Sequence, residues 1–213
     1  MTVTHDPQDD VRTTANGWRL VPLGKICELR IETRDPTRTP EVPFRYVDIS
    51  GVDNTRKRIV DARTMLGGNA PSRARQVIRT EDVLVATTRP NLNAVALVPS
   101  ELDQEICSTG FCVLRPVRGI VESGYLFAFV QTDAFVDSLT SLVKGALYLA
   151  VTEKQVLAQH IPLPSLPEQR RIAAILTERM EAVERARNAA EAQLETVRHL
   201  PAALLREAFS GRL

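Results

Sequence analysis

The run Ile161-Pro162-Leu163-Pro164-Ser165-Leu166-Pro167 constrains this chain more than any other stretch. Prolines at every second or third position remove backbone donors and fix φ, so neither a helix interior nor a central strand can pass through. The backbone must be extended there, and then its character changes. Ser165 and Glu168 have capping-box spacing, and Pro167 falls in a first helical turn, where its missing N–H costs nothing. From Glu168 to His199 no Gly or Pro interrupts a segment rich in Ala, Glu, Arg and Leu. It predicts one helix of roughly 30 residues, about 45–50 Å long. Residues before this junction form a globular block, and those after it a rod.

In the block, runs of β-formers predict strands at Phe44–Ile49, Ile59–Val60, Gln76–Ile78, Asp82–Thr88, Ala94–Val98 and Ile106–Leu114. Helical spacing predicts a single helix over Ser123–Val143, ended by Gly145. Trp18 to Ile26 suits a short strand and turn, and Thr33–Pro43 an exposed loop. Residues 1–15, polar and unpatterned, are expected to be a mobile arm. The expected class is α/β (α+β), one domain followed by a long coiled-coil-forming helix. No run of 18 apolar residues exists and no signal-peptide pattern opens the chain, which predicts a cytoplasmic protein without membrane contact. Cys27, Cys107 and Cys112 lack metal-ligand spacing and are expected to be reduced packing residues.

Along the rod, Leu176, Val183, Ala190, Val197 and Leu204 recur every seven residues, with Ala173, Met180, Arg187 and Leu194 as the companion set. This is an a/d seam with Arg187 as its polar fault, and Pro201 is expected to kink or restart the helix. A helix of about 45 Å overhangs a domain of this size. Leu176, Met180, Val183, Ala190, Leu194 and Val197 are therefore expected to face a second chain.

The formal net charge is only +1, but it is unevenly spread. Residues 56–79 hold Arg56, Lys57, Arg58, Arg63, Arg73, Arg75 and Arg79 against the single acid Asp61. Local sign decides what a face attracts. There is no Gly-x-x-x-x-Gly-Lys-Ser/Thr loop, no Gly-x-Gly-x-x-Gly turn and no Asn/Asp-Pro-Pro-Tyr/Phe motif. His5, His160 and His199 neighbour no nucleophile in a recognisable motif, and pairs such as Glu81-Asp82 are expected to punctuate strands rather than hold a metal. No catalytic or metal residue is expected. What remains is loop chemistry suited to DNA. Arg donates two hydrogen bonds to guanine, Asn or Gln pairs with adenine, and Arg, Lys, Ser and Thr meet phosphates. The candidates are Arg56, Lys57, Arg73, Arg75, Thr88, Arg89, Asn91, Asn93 and Lys144, with Arg56 and Lys57, and Arg58 beside them, read as phosphate contacts.

The junction Ile161-Pro-Leu-Pro-Ser-Leu-Pro-Glu-Gln-Arg-Arg-Ile172 followed by a long helix closely resembles that of specificity subunits of type I restriction-modification systems. Leu204-Leu205-Arg206-Glu207-Ala208-Phe209-Ser210-Gly211-Arg212-Leu213 is similar to the end of that family's spacer region. Gly17-Trp18 with Leu23-Gly24-Lys25-Ile26 resembles the opening of its recognition domain. Ala70-Pro71-Ser72-Arg73-Ala74-Arg75-Gln76 and Thr87-Thr88-Arg89-Pro90-Asn91-Leu92 resemble segments within it. The usual subunit carries two recognition domains and two spacer helices, whereas this chain holds one of each and resembles a half-subunit. The resemblance implies a recognition domain at 16–164 and a spacer and dimerisation helix at 165–213. It implies a non-catalytic chain that binds double-stranded DNA and directs an adenine-N6 methyltransferase subunit, which carries S-adenosylmethionine, with or without a restriction subunit. A homodimer would recreate the two-domain form. A stand-alone DNA-binding regulator and a small nuclease with a dimerising helix are the rival classes.

Overall fold

Alternating side chains explain the centre of the first unit. In the computed structural model, which describes residues 13–143 and 149–210, strand β7 (Val83–Ala86) is buried along its whole length. Successive side chains on a strand point to opposite faces, and here both faces are covered. Val83 and Val85 enter one hydrophobic cluster with Cys112, Leu114, Leu126 and Leu139. Leu84 and Ala86 enter another with Phe111, Val113, Ile78 and Leu102.

The other elements follow in chain order. Strand β1 (Arg19–Pro22) leads through a 3-10 turn at Leu23–Lys25, and a second turn at Pro36–Arg38 precedes β2 (Pro43–Val47). Then come β3 (Val52–Asp53), β4 (Arg58–Ile59), β5 (Arg63–Leu66) and β6 (Ala74–Val77). After β7 follow β8 (Val95–Leu97), β9 (Ile106–Ser108) and β10 (Phe111–Leu114). Helices α1 (Ser123–Phe129), α2 (Asp133–Leu142) and α3 (Glu153–Leu157), strand β11 (His160–Leu163) and helix α4 (Leu166–Phe209) complete the series. The sheets have the orders β10-β7-β8, β5-β2-β9-β6, β3-β4 and β1-β11. Among the described residues the proline-bearing β11 pairs only with β1, with Pro162 opposite Leu20, so its missing donor interrupts no central ladder.

Several expectations need correction. The expected strand Ile106–Leu114 is two strands, because Ser108-Thr109-Gly110 turns the chain and the Ser108 hydroxyl accepts from the Gly110 N–H at 3.2 Å. A Cβ on Gly110 would lie 2.7 Å from Ile49 Cδ1, so a larger residue in that turn would have to displace the end of the Ile49 side chain. The expected helix Ser123–Val143 is also two, because Thr132 caps α2 by accepting from the Phe135 N–H at 3.3 Å. Of the kink or restart expected at Pro201, the restart does not occur, since helix α4 continues through that residue. The Gly145 stop lies outside the described residues, as do residues 1–12 of the expected arm. Thr13 bridges Arg19, and Trp18 N–H donates to Thr14 Oγ1 at 3.2 Å, so residues 13–19 form an ordered turn.

The capping box expected at Ser165 does not form with Glu168, whose carboxylate holds Arg171 through two bonds of 2.8 Å. Gln169 folds back instead. It is 1% exposed, accepts from the Glu122 N–H at 2.9 Å and donates to the carbonyls of Pro164 at 2.9 Å and Ile120 at 3.2 Å. This roots the first turns of α4, and Ile172 and Ala173 add apolar contact with the first cluster. Asp82, expected to punctuate a strand, is buried and takes the Arg115 guanidinium at 2.9 and 2.8 Å. It also accepts the Arg79 N–H at 2.8 Å. The chain divides into two units, Met1–Ala173 and Ala174–Leu213.

Candidate nucleic-acid interface

Loop 87–93 leaves the end of β7 and is fixed from four sides. Thr87 donates from both N–H and hydroxyl to the Gly110 carbonyl, at 2.9 and 2.8 Å. The Arg89 N–H donates to the Leu149 carbonyl at 2.6 Å. Lys57 Nζ donates to the Asn93 carbonyl at 2.6 Å, and Asn93 Nδ2 reaches the Gln131 carbonyl at 3.5 Å. Between these anchors Pro90 is buried, while Arg89 and Asn93 both adopt the left-handed conformation, with φ of 50° and 45°. The result exposes Arg89, Asn91 and Leu92 and leaves Thr88 half-buried.

The β9–β10 turn carries the second group. The Thr109 N–H donates to the Arg73 carbonyl at 2.9 Å, while the next residue, Gly110, receives Thr87. Arg73 and the 87–93 loop are thus neighbours of one turn, though far apart in sequence. Arg73 is exposed. Arg75 is not presented alongside it. Its guanidinium donates to its neighbour's carbonyl, Ala74, at 2.7 Å and lies 3.4 Å from Asp35. Gln76 turns inward, donating to the carbonyls of Ser108 and Phe111 at 2.9 and 3.0 Å.

The third group is Arg56 and Lys57. Asp53 accepts the N–H groups of Thr55 and Arg56, which holds its carboxyl below the usual range, and lies 3.8 Å from the Arg56 guanidinium. Lys57 adopts φ 54°, and burial lowers its ammonium's pKa. One of its N–H groups is used on Asn93, which leaves an ammonium's other two. Asn93 likewise serves the loop's shape more than its exposed surface. Lys144 lies outside the described residues.

The basic excess of residues 56–79 is partly met by acids, most of them from outside the segment. Besides Asp53 and Asp35, Glu32 lies 3.4 Å from Arg79, and Asp61 holds Arg63 at 3.1 Å. On α4, Met180, Val183, Leu194 and Val197 are each more than half exposed. Leu176 and Ala190 are also exposed, so nothing among the described residues covers this stripe. Among those residues no group of three or more His, Cys, Asp or Glu could hold a metal ion, and no helix is long and apolar enough to cross a membrane. The buried Gln169 and Arg115 are structural polar residues that sequence reasoning passed over, and Asp82, the partner of Arg115, it read only as strand punctuation. Only the Pro-Glu-Gln-Arg motif itself pointed towards the first.

Comparison with known proteins bears on the fold and the family. Two solved structures superpose with TM-scores of 0.78. One is the HsdS subunit from Thermoanaerobacter tengcongensis, 46% identical over 93% of this chain and 51% of that one. The other belongs to work on complex assembly and conformational transition of the type I R-M system, 48% identical over 90% of this chain and 49% of that one. Among curated proteins, the HindI specificity subunit of Haemophilus influenzae is 22% identical over 75% of this chain and 34% of its own length. The EcoDI specificity subunit of Escherichia coli is 19% identical over 93% of this chain and 43% of its length. This chain therefore spans about a third to a half of the relatives it matches. The sequence model of the type I restriction modification DNA specificity domain matches residues 16–195, and the chain belongs to that family.

Proposed function

We propose that this chain is a DNA sequence-recognition subunit of a type I restriction-modification system. The family match over residues 16–195 carries the reading. Residues 16–164 recognise one half-site, and residues 165–213 form the spacer and dimerisation helix. The pinned, polar edge formed by loop 87–93 and the β9–β10 turn supports placing the contacts there. Arg89, Asn91 and Arg73 face the bases, and Thr88 meets phosphate. Arg75 and Asn93 shape the edge, while Arg56 and Lys57 add positive charge beside it.

The chain carries no chemistry of its own. It directs a methyltransferase subunit holding S-adenosylmethionine to adenines in cytoplasmic DNA, and a restriction subunit uses the same address where present. Two copies pair through Leu176, Met180, Val183, Ala190, Leu194 and Val197. A two-fold dimer then reads the same bases on opposite strands, giving an interrupted palindrome. A methylome of the host with and without this gene tests the reading. The expected result is loss of one methylated motif with two related halves, and an unchanged methylome would overturn it.

A further inference from the structure

Resting on that DNA-recognition reading, we propose that Leu92 is an apolar base reader that meets the 5-methyl group of thymine in the major groove. Leu92 lies between Asn91 and Asn93 and is 46% exposed. A single exposed leucine is ordinary on a protein surface; the backbone that presents this one is not. A left-handed conformation costs a residue such as arginine roughly 1–2 kcal/mol, and the loop adopts one at Arg89 and a second at Asn93, a residue type that tolerates it, around the buried Pro90. The Leu149 carbonyl, the Lys57 ammonium and the Gln131 carbonyl hold those two residues in place. Strain held from several sides at a polar edge is a mark of function rather than of packing. What it displays in sequence is a guanidinium, an amide and an isobutyl group.

The first two suit guanine and adenine edges. The third has one counterpart there. Every major-groove feature is a hydrogen-bonding group except the thymine methyl, and the minor groove offers no such apolar group. A rigid loop carrying Asn91 and Leu92 side by side therefore matches an adenine next to, or paired with, a thymine.

The test uses the purified full chain with any subunit that co-purifies. Bound duplexes are selected from a random pool, and the selected sequence is made again with uracil for thymine, which removes the methyl and keeps every hydrogen bond. Wild type is expected to bind the uracil duplex about fourfold more weakly per contacted thymine, the worth of one buried methyl. Leu92→Ala should bind both duplexes equally, at the wild-type affinity for uracil, while Leu92→Met should restore the thymine preference. A wild type indifferent to the methyl, or a preference that survives Leu92→Ala, overturns the proposal and leaves DNA recognition standing. A wild type that selects no sequence from the pool overturns both.

Discussion

Gln169→Leu tests how the long helix is rooted. The side chain is 1% exposed, and its amide makes three hydrogen bonds, one with Glu122 N–H and two with the carbonyls of Ile120 and Pro164. Leucine is close enough in volume that cavity and transfer effects stay small. What is lost is three bonds at a net of about 1 kcal/mol each, or about 3 kcal/mol. For a chain of this size each kcal/mol moves the melting temperature by about 2–4 °C, so a fall of about 6–12 °C is expected in a calorimetric scan. Gln169→Glu sharpens the test. It keeps an acceptor for Glu122 N–H but turns a carboxylate towards two carbonyl oxygens, so at neutral pH it should melt below the leucine variant. That penalty should shrink as pH falls and the carboxyl protonates, because burial beside carbonyls favours the neutral form. A leucine variant melting within about 2 °C of wild type, below the effect of a single kcal/mol, would refute the reasoning. So would a glutamate variant more stable than the leucine one.

Other outcomes follow from the same coordinates. Cys27, Cys107 and Cys112 are buried, and burial pushes Cys27 from its ordinary 9.0 to about 12, with the other two also raised. A thiol reagent at pH 8 should label none in the native protein and all three after unfolding. Because unfolded thiols ionise first, the unfolded state binds fewer protons above pH 9, and stability should fall as pH rises from there towards 12. Arg89→Ala or Arg73→Ala should cost about 1–3 kcal/mol of sequence discrimination if that guanidinium meets a base, measured by competition between duplexes. Lys57→Ala should lower affinity for all sequences and make the logarithmic salt slope shallower by up to about 0.9 per lost phosphate contact; an unchanged slope would assign Lys57 to loop support alone. Val183→Asp with Leu194→Asp places unpartnered charges in the proposed seam, so sedimentation should show monomers and the symmetric methylation motif should vanish; a monomeric wild type would refute the homodimer.

Features with a local cause were legible in the sequence. The extended Ile161–Pro164 segment and the helix beyond it follow from proline and from uninterrupted helix formers, and Val83–Ala86 from a dense apolar run. Breaks inside apolar periodicity were not legible. Phe129 and Phe135 pack edge to face across the Thr132 cap, so the pattern of apolar residues continues where the helix does not. Ile106–Leu114 hid its turn for a similar reason, since both halves are buried, one in each sheet. At the candidate interface, Arg73 and Arg89 were found by residue type and are exposed as expected. The ion pair of Arg75 and the inward turn of Gln76 could not be seen, because Asp35, Ser108 and Phe111 come from other segments.

That difference also separates two kinds of arginine in this domain. Arg63 and Arg79 pair with Asp61 and Glu32 at sites where every partner is more than two-fifths exposed. Exposed pairs are worth about 0–1 kcal/mol, so a phosphate arriving nearby can take either guanidinium from its carboxylate at little cost. Arg115 is the opposite case. It and Asp82 are 7% and 1% exposed, and removing one partner of such a pair strands the other charge at a cost of about 3–5 kcal/mol. The seven bases of residues 56–79 therefore carry less field than their number suggests, although Arg58, Arg63, Arg73 and Arg79 stay exposed. Charge held by weak surface pairs is charge that binding can redirect, whereas the buried pair holds the end of β6, where Asp82 accepts the Arg79 N–H and Arg115 donates to the Val77 carbonyl.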